Sequence, residues 1–378
     1  MKIALVHDYI KEFGGAERVL KTLSEMYPDA PIYTAFCVKG STAEKEFKGL
    51  RPVGPTARRG REITESPFAP ILKIWKLYSP LRFLIPLIWK SFDLSKFDLV
   101  ITSSSWYVTR GFKVGKNTKV IDYCHTPPRW LYGYETSVGF TKYWPVKIYA
   151  AIIGHFMRIF DFKTAQDVNY FIANSKNVAE RIKKFYRRDS TVIYPPCDIE
   201  KIIELTKDIK KENFYLIASR LTGAKGIEET IRLSKKIGFK LKIIGESAGY
   251  SEIENKNKDK VEFLGRLTDE ELYREYAETQ GFMALAKDED FGMTVVEAQA
   301  ARTPVIAFNG GGFKESVINN VTGILINEIS EKSLKEAVKK IEETKWSREK
   351  LISNARRFSK ERFISEIKSF VNKYAGTT

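Results

Sequence analysis

Cysteine is scarce in this chain: 378 residues carry three, at positions 37, 124 and 197, an odd number with no spacing that suits a metal site. That excludes a disulfide framework and points to a reducing compartment, so a cytoplasmic location is expected. No apolar run reaches the length needed to span a bilayer, so no transmembrane segment is predicted. Met1-Lys2-Ile3-Ala4-Leu5-Val6 reads directly as a strand, and no signal peptide is expected. Glutamine occurs only at 166, 280 and 299 while Lys, Glu and Ile abound, a bias associated with thermophilic sources. No internal repeat or low-complexity segment is visible.

What is present is an ordinary globular composition, 43% hydrophobic and 29% charged, in a chain long enough for two domains. A net charge of +16 calls for an acidic partner, whether nucleotide phosphates, anionic lipid or nucleic acid. The last is suggested by charge alone, since no nucleic-acid-binding module accompanies it. Short apolar runs alternate with amphipathic segments, the pattern of strand–helix units in parallel sheets. Strands are predicted at Lys2–Val6, Ile32–Ala35, Leu99–Thr102, Lys119–Tyr123 and Tyr170–Ala173, then at Phe214–Ala218, Lys240–Ile244, Val261–Leu264, Gly281–Leu285 and Pro304–Ala307. The pattern restarts after Tyr194-Pro195-Pro196-Cys197-Asp198, where a Pro pair continues neither element type. Two doubly wound α/β domains facing a common cleft follow, 1–195 joined by the terminal helix at about 360–378, and 196–359.

The most informative stretch is Asp288-Glu289-Asp290-Phe291-Gly292-Met293-Thr294-Val295-Val296-Glu297-Ala298. An apolar strand precedes it and a helix rich in small residues follows, so Glu289 falls in the strand-to-helix loop and Glu297 within the helix. The opening helix end offers unpaired N–H groups to a phosphate, which leaves both carboxylates for sugar hydroxyls. Two plainer readings compete: acidic residues that only cap the helix, and an Asp-x-Asp metal site, for which the surroundings supply few oxygen ligands.

Further segments complete an ordered set. They are His7-Asp8-Tyr9 with Gly14-Gly15-Ala16-Glu17-Arg18, Tyr123-Cys124-His125-Thr126-Pro127-Pro128-Arg129, Ser219-Arg220-Leu221 with Lys225-Gly226, Phe263-Leu264-Gly265-Arg266-Leu267, and Gly310-Gly311-Gly312-Phe313-Lys314-Glu315. Together with the Glu289…Glu297 element, this series resembles the retaining GT-B glycosyltransferases of sequence family four, over nearly the whole chain. The likeness is greatest to GDP-mannose-dependent mannosyltransferases of O-antigen and archaeal glycan synthesis. One departure is Arg302, where that family usually has Gly after the second-domain helix. A left-handed helix end suits Gly, so either the cap is strained or the helix ends differently.

The resemblance implies a metal-independent transfer of mannose from GDP-mannose to a lipid-linked or membrane glycan, with a UDP-sugar donor or a soluble acceptor as the alternative. Arg220 and Lys225 would meet the charge of the departing diphosphate. His125 would contact the donor sugar, while His7 and His155 read as structural. Glu297 would take the ribose hydroxyls. Glu289 would hold the transferred sugar with the backbone N–H groups of Phe291, Gly292 and Met293, and Arg266 and Leu267 would frame the base. Gly14 and Gly15 would let backbone N–H groups approach the diphosphate or acceptor, or form only a tight turn, and Glu17 reads as helix surface.

Residues 67–92 interleave Lys73, Lys76, Arg82 and Lys90 with Trp75, Tyr78, Phe83 and Trp89, and Pro80 and Pro86 break any long helix. A similar mixture runs from Tyr143 to Phe162, with Lys147, Arg158 and Lys163 in and beside it. Aromatics at headgroup depth beside cations describe a peripheral contact with an anionic membrane, and core aromatics beneath a solvated basic face describe the alternative. Membrane contact is expected through Lys73, Trp75, Lys76, Arg82, Trp89 and Lys90.

Overall fold

A computed structural model describes residues 1–48, 63–74, 78–134, 144–246, 252–259 and 261–376. They form two compact units, one of Met1–Tyr134, Tyr143–Pro196 and Phe363–Thr378, the other of Cys197–Arg362.

The first unit is built on a seven-stranded sheet ordered β3-β2-β1-β4-β5-β6-β7. Its strands are β1 (Ile3–His7), β2 (Ile32–Thr34), β3 (Ile63–Glu65), β4 (Leu99–Ser104), β5 (Lys119–Cys124), β6 (Tyr170–Ala173) and β7 (Ser190–Val192). Every pairing is parallel. Side-chain alternation splits each central strand between two cores: Ala4, Val6 and Val100 pack on one face, Leu5, Leu99 and Ile101 on the other. The helix Lys360–Tyr374 closes the second face with Phe363, Ile367, Phe370 and Val371, one stripe at helical spacing.

The second unit carries a six-stranded parallel sheet ordered β10-β9-β8-β11-β12-β13. Its strands are β8 (Glu212–Ala218), β9 (Leu241–Ile244), β10 (Glu262–Gly265), β11 (Thr279–Ala284), β12 (Val305–Phe308) and β13 (Gly323–Ile326). Tyr215, Ile217, Ile243, Met283 and Ile306 pack against Ile231 and Leu334 from the helices Ile227–Ile237 and Glu331–Glu343.

All ten expected strands are present, and β3, β7 and β13 are additions. Each addition is three or four residues long and lies at a sheet edge. Strand order reverses between β1 and β4 and again between β8 and β11. Loops after those strands diverge to opposite sides, and the crevice at the carboxyl end of such a reversal is where ligands of open α/β sheets bind.

Candidate functional site

At the reversal of the second sheet the loops after β8 and β11 bring charges together. Lys225, in a short turn leading into the helix Ile227–Ile237, donates from Nζ to Glu289 Oε2 at 2.5 Å, and both side chains are largely buried. Gly226 makes this approach possible: it sits at φ +70°, and a Cβ there would stand 2.6 Å from the Leu285 carbonyl oxygen. Arg220 lies exposed at the end of β8. Its path is pinned by Ser219 N–H to the Ile244 carbonyl and Leu221 N–H to the Glu246 carbonyl, each 3.0 Å. Gly245 is the residue that permits this, since a Cβ there would lie 1.9 Å from the Ser219 oxygen. Sequence reasoning missed Gly245, although a Gly directly after an apolar strand signals close backbone approach.

The Gly310-Gly311-Gly312 run serves Glu289 from outside. A Cβ on Gly311 would meet the Glu289 carbonyl oxygen at 2.2 Å and one on Gly312 the Phe291 Cα at 2.4 Å, so the loops after β11 and β12 lie backbone to backbone. Gly312 N–H donates to that same Glu289 carbonyl at 2.9 Å. Gly292, at φ +87°, caps the helix Met293–Ala300, which follows buried Phe291. Glu297, within this helix, is 4% exposed, and one of its oxygens accepts the Tyr276 hydroxyl at 3.2 Å. Tyr276, on the helix Asp269–Glu278, has no local sequence signal and was not anticipated. At the end of β10, Gly265 takes φ +64°, Arg266 stands 3.8 Å from Glu246 Oε2, and Leu267 is half-buried.

Arg302 resolves the departure noted above. The helix ends with Arg302 N–H on the Gln299 carbonyl and Thr303 N–H on the Ala298 carbonyl, both 2.9 Å, the pairing of a Schellman cap. Arg302 itself is left-handed, at φ +62°, which costs a residue with a Cβ about 1–2 kcal/mol. The cap is therefore strained.

The reversal of the first sheet holds a polar chain instead. His7 Nδ1 lies 3.0 Å from Ser103 Oγ, which lies 2.8 Å from His125 Nε2, and all three residues are buried. Glu17 Oε1 stands 3.6 Å from His7 Nε2, and Glu17 Oε2 accepts Gly14 N–H at 3.0 Å. Glu17 thus faces inward, against the surface role expected for it. Gly14 is the N-cap of the helix Gly15–Met26. A hydroxyl donates only one proton, so a carboxylate at the head gives the chain one direction. His7 turns Nε2–H to Glu17, Ser103 donates to His7, and His125 donates from Nε2 and keeps Nδ1 as an acceptor. Burial first, and the nearby His7 charge second, bring His125 down to about 3, so its ring is neutral at ordinary pH. Asp8 is absorbed structurally, accepting from the backbone N–H groups of Ser105 and Trp106 and from the hydroxyls of Ser105 and Thr109.

The basic-aromatic segments divide. Trp89 is a correction: it is fully buried and donates from Nε1 to the Tyr107 carbonyl at 2.7 Å. Arg82 is half-buried between the Trp106 and Trp130 rings, at 4.8 and 4.6 Å from their centroids. Lys73 and Lys90 are exposed, with Lys73 Nζ 2.9 Å from Glu65, while Trp75, Lys76 and Tyr143 lie outside the described residues. The helix Trp144–Gln166 turns Asp161 and Met157 inward, and Trp144, Ile148, Ile152 and Phe156 outward at four-residue spacing, 51–73% exposed. Among the described residues no helix is long and apolar enough to cross a membrane, and no group of three or more His, Cys, Asp or Glu is placed to hold a metal ion.

Residues 13–201, half the chain, match the family described as Glycosyltransferase Family 4, and residues 198–358 match Glycosyl transferases group 1. An uncharacterized glycosyltransferase of Methanocaldococcus jannaschii is 32% identical over 39% of this chain and 44% of its own length. The O-antigen chain mannosyltransferase of Salmonella typhimurium is 30% identical over 45% of this chain and 50% of its own. The chain thus spans about half the length of these curated relatives. Anabaena HepE, solved in complex with UDP and glucose, superposes with a TM-score of 0.67 at 18% identity, over 98% of this chain and 99% of that one. The architecture is GT-B: two Rossmann-like parallel-sheet domains.

Proposed function

Because this chain belongs to glycosyltransferase family 4, we propose that it moves mannose from GDP-mannose to a lipid-linked or membrane glycan, with retention at the anomeric carbon. The observation that carries this reading is the ion pair of Lys225 and Glu289 at the strand reversal of the second unit, where exposed Arg220 follows β8. Breaking the glycosidic bond puts charge on the diphosphate, and a planar guanidinium with a compact ammonium stabilises that charge more than the ground state. The acceptor oxygen bonds to the anomeric carbon on the face the diphosphate leaves, and its proton passes to a diphosphate oxygen. Glu289 binds sugar hydroxyls beside the N–H groups of Phe291, Gly292 and Met293. Glu297 takes the ribose, Arg266 and Leu267 flank the base, and His125, as a neutral ring, accepts a hydrogen bond from a hydroxyl of the donor sugar. Gly15 offers its backbone N–H to the acceptor, the Gly14 N–H being held by Glu17.

The mannosyltransferase relative favours mannose, and the UDP-bound neighbour favours a second reading with a UDP-sugar on the same residues. A thermal-shift panel of GDP, UDP and ADP sugars separates the two, because the bound donor raises the melting temperature. GDP-mannose is expected to give the largest rise, and Glu297→Ala to remove most of it. A Glu297→Ala variant that responds like wild type would reject the site.

The acceptor side rests on the outward apolar face of Trp144–Gln166. Tyr149 donates to the Pro80 carbonyl, joining that helix to the segment bearing exposed Phe83 and Leu87. Lys73, Lys90, Lys147 and Arg158 are exposed beside these residues. Each large apolar side chain fully buried in lipid contributes about 1.5–3 kcal/mol, and the cations favour anionic headgroups. Sedimentation with anionic vesicles tests this, with Trp144→Ser/Phe156→Ser expected to stay in solution; wild type in the supernatant would remove the membrane reading.

A further inference from the structure

The amino end of the second sheet carries a group of charges that the donor reading does not use. Lys207, Lys210, Lys211, Arg302 and Arg348 line a cavity of about 400 Å³, with Asp208 its one carboxylate. Lys211 directly precedes β8, so a seven-residue strand, roughly 20 Å, separates this cavity from Arg220. Among the described residues none of the five cations lies within ion-pair distance of a carboxylate.

Two features show the cluster to be more than basic background. Lys211 keeps solvent contact as a residue, but its ammonium group donates inward to the hydroxyl of Thr303, which is fully buried. Desolvation, then the Arg302 and Arg348 charges, bring that ammonium down to about 7, while Asp208 partly offsets the repulsion at Arg302. A cation held among cations is unfavourable in the empty cavity and favourable around an anion. Arg302, moreover, sits in a left-handed cap that Gly fits without strain, and the strain keeps a guanidinium in the cavity. One arm donates to the Lys207 carbonyl, and Nε and Nη2 have no acceptor among the described residues.

We propose that this cavity binds a small diphosphate anion, held by Arg302, Arg348 and Lys211 at the end of the sheet remote from Arg220 and Glu289. A planar guanidinium suits two phosphoryl oxygens at once, and a second phosphoryl group uses cations that one phosphate would leave unmet. The proposal is independent of the donor assignment, and the experiment keeps the two apart by using Lys225→Ala protein, in which the nucleotide site is impaired.

Inorganic pyrophosphate is the probe, read by ¹³C NMR of dimethylated lysines, with the Lys211 signal assigned through Lys211→Arg. Saturation is expected to raise the Lys211 pKa by about one unit or more, with potassium chloride of equal ionic strength giving no such rise. Arg302→Gly, which relieves the backbone, is expected to weaken binding roughly tenfold or more, and Arg348→Gln, which leaves the backbone alone, to do likewise. A Lys211 signal indifferent to pyrophosphate, or wild-type affinity retained in both variants, overturns the proposal.

Discussion

At the strand reversal of the first sheet, Glu17, His7, Ser103 and His125 satisfy one another in a buried run. At that of the second, Lys225 pairs with Glu289, and Arg220 stands exposed after β8. Both crevices arise from the same topology, yet their electrostatics differ in kind. A chain headed by the Glu17 carboxylate can orient a hydroxyl but offers no cation to a diphosphate. Cations in the loop after β8 suit the proposed role of meeting a diphosphate charge. Topology therefore supplies the place, and the side chains in and beyond the strands differ between the two units.

Removing the cation should separate the two crevices most sharply. Lys225→Ala is expected to lower kcat by about 10²–10³, the usual cost of one donor to a developing charge, with little change in acceptor KM. A loss confined to KM would mean that Lys225 binds ground state and transition state alike, and the contrast between the units would fail.

The first crevice should reveal itself through pH. His125 ionises near 3 when folded, whereas an unfolded histidine does so near 6.5. Between those values the unfolded chain holds the extra proton, so stability falls as pH drops below 6.5 and this loss ends near 3. At pH 5 the loss amounts to about 2 kcal/mol. Melting curves at pH 7 and pH 5 should show a smaller drop for His125→Asn than for wild type. Equal drops would show that His125 is charged in the folded protein.

How far the sequence foretold these crevices depended on the range of the contacts. Glu289, Gly292 and Glu297 were legible because an apolar run, an acidic loop and a helix of small residues lie together in the chain. The ten expected strands were legible for the same reason, whereas β3, β7 and β13 lie at sheet edges. Ser103 reaches His7 across 96 positions and Tyr276 reaches Glu297 across 21, and neither partner is marked locally. Trp89 was misread because interleaved cations and aromatics do not say which face turns inward; its hydrogen bond to Tyr107 does. The glycines at 310–312 were read only as the last motif of the series, and what they make room for is the protein's own Glu289 loop.

The finest discrimination comes from one isosteric change made in each crevice. Glu17 is the N3 residue of its helix and accepts the N-cap Gly14 N–H, a role Gln fills as well, and the His7 ring it faces needs only an acceptor oxygen. Glu17→Gln keeps the shape and the acceptor, so stability is expected to stay within about 0.5 kcal/mol and donor KM to be unchanged. Glu289→Gln keeps the shape too, but strips Lys225 of its ion pair inside a half-buried site, so donor KM and kcat should both move. If Glu17→Gln disturbs catalysis as much as Glu289→Gln, a charge acts in the first crevice after all. The Glu17 carboxylate would then act on the reaction itself, and the contrast between the two crevices would have to be given up.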